Sequence, residues 1–161
     1  MVVVLFGAAG AGKTTVGRAL AGALGWRFVD GDDFHSPAAI AKMRAGAPLT
    51  DADRAPWLAA LHQAIAIAVG RREPLVVACS ALRARYRERL RGGLPTIRFA
   101  YLKADETTLR RRLTERAGHF AGPALITSQL ATLEESDDGL TVDATEPPER
   151  IVAAIRYEFG L

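Results

Sequence analysis

The run Gly7-Ala8-Ala9-Gly10-Ala11-Gly12-Lys13-Thr14 has the spacing G-x-x-x-x-G-K-T of a loop that cradles a phosphate chain. Its glycines let successive N–H groups converge on an anion, the lysine reaches the β- and γ-phosphates, and the threonine hydroxyl binds Mg²⁺. Thr15 follows as a further nucleotide-side position. A second group, Asp30-Gly31-Asp32-Asp33-Phe34-His35, gathers carboxylates and an imidazole in one short stretch. There Asp32 can orient an acceptor hydroxyl and take its proton, Asp30 can hold the metal through a water, and His35 can hydrogen-bond a substrate hydroxyl. A third group is Arg112 and Arg116, one helical turn apart, from which a guanidinium can close onto a transferring phosphoryl group. The chemistry these residues fit is phosphoryl transfer from ATP with Mg²⁺, with Lys13, Asp32 and Arg116 as candidate catalytic residues. Blander roles stay open: Asp32 and Asp33 could cap the helix after Pro37, His35 could be satisfied by backbone, and the two arginines could form surface ion pairs.

The elements around these groups fit a parallel sheet. Val2 to Phe6 is apolar without polar alternation, the pattern of a strand buried on both faces. A helix from Thr14 to Leu24 follows and stops at Gly25, and its N-terminus adds partial positive charge to the loop. Trp26 to Asp30 makes a second strand, which delivers the carboxylates to the edge where ligands of open α/β sheets bind. A helix from Pro37 to Ala45 precedes Thr50 and Asp53, whose capping-box spacing opens a long helix with Trp57, Leu58, Leu61, Ile65 and Ala68 on one face as far as Gly70. Further strands are predicted over Pro74 to Cys79, Thr96 to Leu102 and Leu140 to Asp143, and further helices after Asp105, over Ala124 to Glu135 and over Glu149 to Phe159. The third strand ends Ala78-Cys79-Ser80, without the Asp that often closes it, so Asp30 and Asp32 inherit the metal's outer-shell work. Strand and helix alternate throughout, which implies an α/β fold with a parallel sheet covered on both faces.

At 161 residues the chain fits one domain. Its single cysteine, Cys79, excludes an intrachain disulfide framework, reads as a small buried hydrophobe, and favours a reducing cytoplasmic setting. The short apolar start leads straight into the phosphate loop, so no leader or membrane span is expected. The net charge of +3 suits an anionic small molecule as well as nucleic acid. Arg83, Arg85, Arg87, Arg89 and Arg91 could form an RNA-binding stripe, but Leu82, Tyr86 and Leu90 recur at helical spacing among them. That makes an amphipathic helix with a solvated basic face the better reading, and no nucleic-acid partner is expected.

Together with the phosphate loop and Asp30-Gly31-Asp32 with His35, several blocks resemble the gluconokinases, small phosphate-loop kinases of the shikimate-kinase-like group. They are Lys42-Met43, Gly46 with Pro48-Leu49, Asp51-x-Asp53-Arg54-x-Pro56-Trp57-Leu58, Cys79-Ser80-Ala81-Leu82, Tyr86-Arg87, Arg116-x-Gly118-His119-Phe120, and Ser128-Gln129 with Thr132-Leu133-Glu134. The resemblance implies a three-layer α/β/α fold with a five-stranded parallel sheet of order 2-3-1-4-5. It implies one domain over residues 1–161, with a substrate-side helical segment over about 36–70 and a closing lid over about 116–124. The activity it implies is ATP-dependent phosphorylation of D-gluconate to 6-phospho-D-gluconate by a homodimer. Arg54 and Arg83 become candidates for gripping the sugar-acid carboxylate, Ser80, His119 and Gln129 fall on the substrate side, and adenine is placed near Arg112 and the loop Asp143 to Pro147. The family commonly has His-Pro and then Asn before Lys-Met, whereas Ser36 and Ala39 stand here. The competing readings are a kinase for shikimate or another small sugar acid, and a nucleotide- or RNA-binding module without turnover.

Overall fold

The computed structural model describes residues 1–115, 123–135 and 139–161. Five strands form one sheet: β1 (Val2–Phe6), β2 (Arg27–Asp30), β3 (Leu75–Ala78), β4 (Ile97–Lys103) and β5 (Leu140–Asp143). Their order is β2-β3-β1-β4-β5, and each neighbouring pair is parallel, with Val2 opposite both Leu75 and Ile97. This is the expected order. Because all strands run one way, every strand's carboxyl end lies on the same edge. The phosphate loop after β1, the acids after β2 and Ser80 after β3 are therefore neighbours.

Side chains alternate across a strand, so the apolar run of β1 feeds two cores at once. Val2, Val4 and Phe6 pack under α3 (Asp51–Gly70) and α4 (Ala84–Arg91), with Trp57, Leu61, Ile65, Tyr86 and Leu90. Val3 and Leu5 face α1 (Lys13–Leu24), α5 (Glu106–Glu115), α6 (Pro123–Thr132) and α7 (Pro148–Phe159), meeting Leu20, Leu109, Ile126 and Ile155. The buried positions of α3 are the five that the sequence period selects. Thr50 and Asp53 form the expected capping box: the Thr50 hydroxyl accepts from Asp53 N at 3.2 Å and the Asp53 carboxylate from Thr50 N at 2.7 Å.

Two local expectations are corrected. The remaining short helix, α2 (Pro37–Arg44), is capped by Ser36, whose Oγ accepts from Ala39 N at 3.1 Å. Neither Asp32 nor Asp33 does that work, because both lie in a separate 3₁₀ turn, Gly31–Phe34. The arginines around α4 do not share one solvated face. Residues two apart on a helix are separated by about 200°, which scatters them around its circumference. Arg87 is only 4 % exposed, with its Cζ 4.6 Å from the centre of the Phe6 ring. Its guanidinium donates to Ala81 O (3.0 Å), Leu82 O (3.2 Å) and Glu134 O (3.0 Å), tying the exit of β3 to the segment after α6.

Candidate active site

The phosphate loop reaches α1 through Gly12, which sits at the helix N-cap with φ 89°, a left-handed conformation that suits glycine. No side chain among the described residues caps this helix, so the loop and first-turn amides face the position an anion would take. Lys13 Nζ donates to Gly7 O at 3.0 Å and Ala8 O at 2.9 Å, which holds the ammonium across the loop. Not every amide of the loop points inward: Gly7 N donates to Ser80 O at 3.3 Å and Ala11 N to Ala8 O at 3.2 Å. Ala9 N donates to Gln129 Oε1 at 2.7 Å, which brings α6 against the loop across 120 residues of sequence.

Asp30 fixes the next part. Its Oδ2 accepts from the Thr14 hydroxyl at 2.8 Å, and its Oδ1 accepts from Asp32 N at 3.1 Å, capping the 3₁₀ turn. Thr14 and Asp30 thus form a hydroxyl–carboxylate pair at the loop. No cluster of three or more His, Cys, Asp or Glu that could hold a metal occurs among the described residues. The Thr14–Asp30 oxygen pair is a donor set that fits Mg²⁺, which in nucleotide sites takes one or two protein oxygens and completes its shell with phosphates and water.

Gly31 is required by close approach: a Cβ there would stand 2.8 Å from both Ala78 O and Cys79 Cβ. Its carbonyl accepts from the indole of Trp57 at 2.7 Å, so α3 pins the turn that carries Asp32. The same indole stacks on His35, with ring centres 4.7 Å apart. His35 Nδ1 is buried and finds no hydrogen-bond partner among the described residues. Burial pushes the imidazole pKa down, with Asp32 opposing and Arg54 assisting, which favours a neutral ring.

These groups line a cavity of about 140 Å³ that opens beside the phosphate loop. Lys13, Thr14, Asp30, Asp32, His35, Arg54, Ser80 and Gln129 all contribute to its wall, and Ile40, Met43, Leu49 and Trp57 supply its apolar side. Arg83 is not among the lining residues; it sits at the N-cap of α4. On the other side of the loop, a second cleft of about 230 Å³ is lined by Gly10, Ala11, Gly12, Thr15, Arg112, Ala144, Glu146 and Pro148. Arg112 stands on the wall of this cleft, with Nη1 at 3.5 Å from Gly10 O. Asp143 and Pro147 are not among the residues that line it. The Asp143 carboxylate accepts from Thr145 N at 2.8 Å and shapes the loop, and Pro147 precedes α7. Arg116 and His119 lie outside the described residues, as does most of the expected lid over about 116–124.

Sequence reasoning missed Trp57 as the donor to Gly31, Ser36 as the cap of α2, and Arg87 as a buried tie. The first could have been suspected from a tryptophan on the apolar face of α3, because a buried indole N–H needs an acceptor.

A phosphate loop at the carboxyl edge of a 2-3-1-4-5 parallel sheet, with an open cleft on one side and an acid-lined recess on the other, defines a phosphate-loop kinase. A family profile described as an AAA domain matches residues 2–136. A gluconokinase from Gluconobacter oxydans is 48 % identical over 136 residues, covering 84 % of this chain and 76 % of that protein. The thermoresistant gluconokinase of Escherichia coli is 41 % identical over 158 residues, covering 95 % and 90 %. The crystal structure of a gluconokinase from Sinorhizobium meliloti superposes with a TM-score of 0.87 at 41 % identity, covering 98 % of this chain and 90 % of that one. The chain belongs to the gluconokinase family.

Proposed function

We propose that this chain transfers the γ-phosphoryl group of ATP to the terminal hydroxyl of D-gluconate, giving ADP and 6-phospho-D-gluconate. The observation that carries the reading is the shared wall of one cavity, on which the phosphate-loop residues Lys13 and Thr14 stand beside Asp32, His35 and Arg54. An acceptor in this recess lies next to the loop with a carboxylate at hand for its hydroxyl proton and a guanidinium for its acid end.

Phosphoryl transfer rests on positioning and charge stabilisation more than on covalent chemistry. Loop amides and Lys13 bind the β- and γ-phosphates. Asp32 orients the acceptor hydroxyl and takes its proton as the oxygen attacks phosphorus in line. Arg54 grips the carboxylate, since a planar guanidinium matches it bidentately. His35 Nδ1 meets an acceptor hydroxyl, which completes the hydrogen bonding of a buried ring atom. Gln129, Ser80 and, from the lid, His119 complete the acceptor side, while Arg116 closes on the transferring phosphoryl group. Thr14 would hold Mg²⁺ and Asp30 would hold it through a water; when bound, the ion neutralises charge on the phosphate oxygens. Arg112 and the loop preceding α7 flank the adenine.

Residues 1–161 act in this reading as one catalytic unit, with 36–70 on the acceptor side and 116–124 as the lid. Its cytoplasmic setting is supported by the lone cysteine, and its homodimeric state by family resemblance. A nucleic-acid partner is disfavoured because Arg85 and Arg91 pair with Asp51 and Glu88 while Arg87 is buried. Among the described residues no helix is long and apolar enough to cross a membrane.

The test is a coupled ADP-release assay with Mg²⁺-ATP and D-gluconate, shikimate, D-glucitol or no acceptor. The reading expects release that depends on gluconate and is weak with the others. Equal release with shikimate, or release without any acceptor, would overturn it.

A further inference from the structure

The mechanism above uses Arg54 but gives no task to Asp51 or Tyr86, although both belong to the blocks that mark the family resemblance. The Arg54 Cζ lies 5.6 Å from the centre of the Tyr86 ring, and Nη1 donates to the Tyr86 hydroxyl at 3.3 Å. That hydroxyl in turn donates to Asp51 Oδ1. The direction of these bonds matters. A phenol has one proton, and the Asp51 carboxylate takes it, which turns the oxygen's lone pairs toward Arg54. Arg85 Nη2 binds the other Asp51 oxygen at 2.5 Å, so the carboxylate is held from both sides.

Tyr86 is itself 5 % exposed and anchored in the core between α3 and α4, whereas Arg54 is half-buried on the cavity wall. A long side chain at such a position loses much rotamer freedom when it grips a ligand, unless the protein has already fixed it. Here the guanidinium carbon sits over the ring and the hydroxyl takes one of the five N–H groups. A bidentate carboxylate needs two N–H groups along one edge, so this restraint leaves the count sufficient.

We propose that Tyr86, oriented by Asp51, is a positioning residue that presents the Arg54 guanidinium to the carboxylate of the acceptor. The inference rests on the reading of Arg54 as the carboxylate grip. It also assigns the specificity for an acid over a neutral polyol to three residues, of which only Arg54 touches the substrate.

Tyr86→Phe removes the hydroxyl and keeps the ring. The expected result is a gluconate KM about tenfold higher, the size of one hydrogen bond to a charged group, with kcat and the KM for ATP nearly unchanged. Asp51→Ala, at an exposed position that cannot collapse the core, raises the gluconate KM in the same direction. Added to Arg54→Ala, which raises this KM by itself, Tyr86→Phe causes no further rise, because the residue it positions is gone. Thermal midpoints measured alongside separate these effects from general loosening, which would lower kcat and weaken ATP binding too. An unchanged gluconate KM in Tyr86→Phe, or an equal rise with and without Arg54, overturns the positioning role while the Arg54 reading stands. An unchanged gluconate KM in Arg54→Ala overturns the Arg54 reading and this inference with it.

Discussion

Replacing Arg87 with Met tests how the fold holds the exit of β3 against α6. The side chain is 4 % exposed and its donors serve Ala81 O, Leu82 O and Glu134 O among the described residues. Met has comparable length and no donor. Leu82 O keeps the N–H of Glu134 at 2.8 Å, and Glu134 is exposed so that water can replace the guanidinium at its carbonyl, which leaves Ala81 O as the buried acceptor deprived of its donor. An orphaned buried carbonyl costs about 1–3 kcal/mol, and a desolvated cation–π contact adds up to about 2 kcal/mol. Removing a buried guanidinium also relieves a desolvation penalty of several kcal/mol, which offsets part of that loss. The net destabilisation is about 2 kcal/mol. A chain of this size loses about 2–4 °C of Tm per kcal/mol, so Tm should fall by about 4–8 °C. Ala81 makes the site sensitive, since it sits at φ 35°, uncommon for a residue with a Cβ, and its carbonyl is one of those Arg87 holds. Differential scanning calorimetry, with urea unfolding to check that the m-value is unchanged, gives the answer. A Tm within about 2 °C of the parent would refute the claim that these bonds stabilise the fold.

Asp32→Ala should lower kcat by about 10²–10⁴-fold while ATP affinity stays within a few-fold, because the side chain lines the cavity of His35 and Arg54 rather than the cleft of Arg112; stopped-flow turnover and nucleotide titration read the two separately, and unchanged turnover removes Asp32 from the mechanism. His35 has its pKa pushed below the ordinary 6.5, mainly by burial. The folded state therefore binds fewer protons than the unfolded chain just below that pH, and stability rises as pH rises toward 6.5. His35→Phe, which keeps the stack on Trp57, should flatten this part of the Tm–pH curve, and an identical slope in both proteins would contradict it. Burial pushes the Cys79 thiol up to about 12, so a thiol reagent at neutral pH should label it only as fast as the protein opens; rapid labelling of the native protein would contradict the buried assignment.

What the sequence revealed and what it hid divide along chain distance. The phosphate loop, the strand before it and the capping box at Thr50 and Asp53 are contiguous or three residues apart, and local rules suffice to read them. The sheet order came with the family likeness, because nothing local says which strands are neighbours. Contacts that assemble the acceptor recess span far more chain: Trp57 to Gly31 covers 26 residues, Arg54 to Tyr86 covers 32 and Gln129 to Ala9 covers 120. Each depends on the crossover of a parallel sheet bringing distant loops to one edge. Arg87 was hidden for another reason. Its neighbours alternate with charge, and only the rotation of α4 decides that this arginine, between Tyr86 and Leu90, turns inward. Asp53 serves both as a helix cap and as the partner of Lys42 at 2.6 Å, and the second role joins α2 to α3 in a way no spacing rule suggests.

The measurement that tests the central claim most directly is identification of the product by phosphorus NMR after incubation with Mg²⁺-ATP and D-gluconate. The account predicts one new phosphomonoester signal coupled to the two protons of the terminal carbon, growing in step with ADP. A phosphomonoester on another carbon, or ADP and inorganic phosphate with no phosphorylated sugar acid, would contradict it.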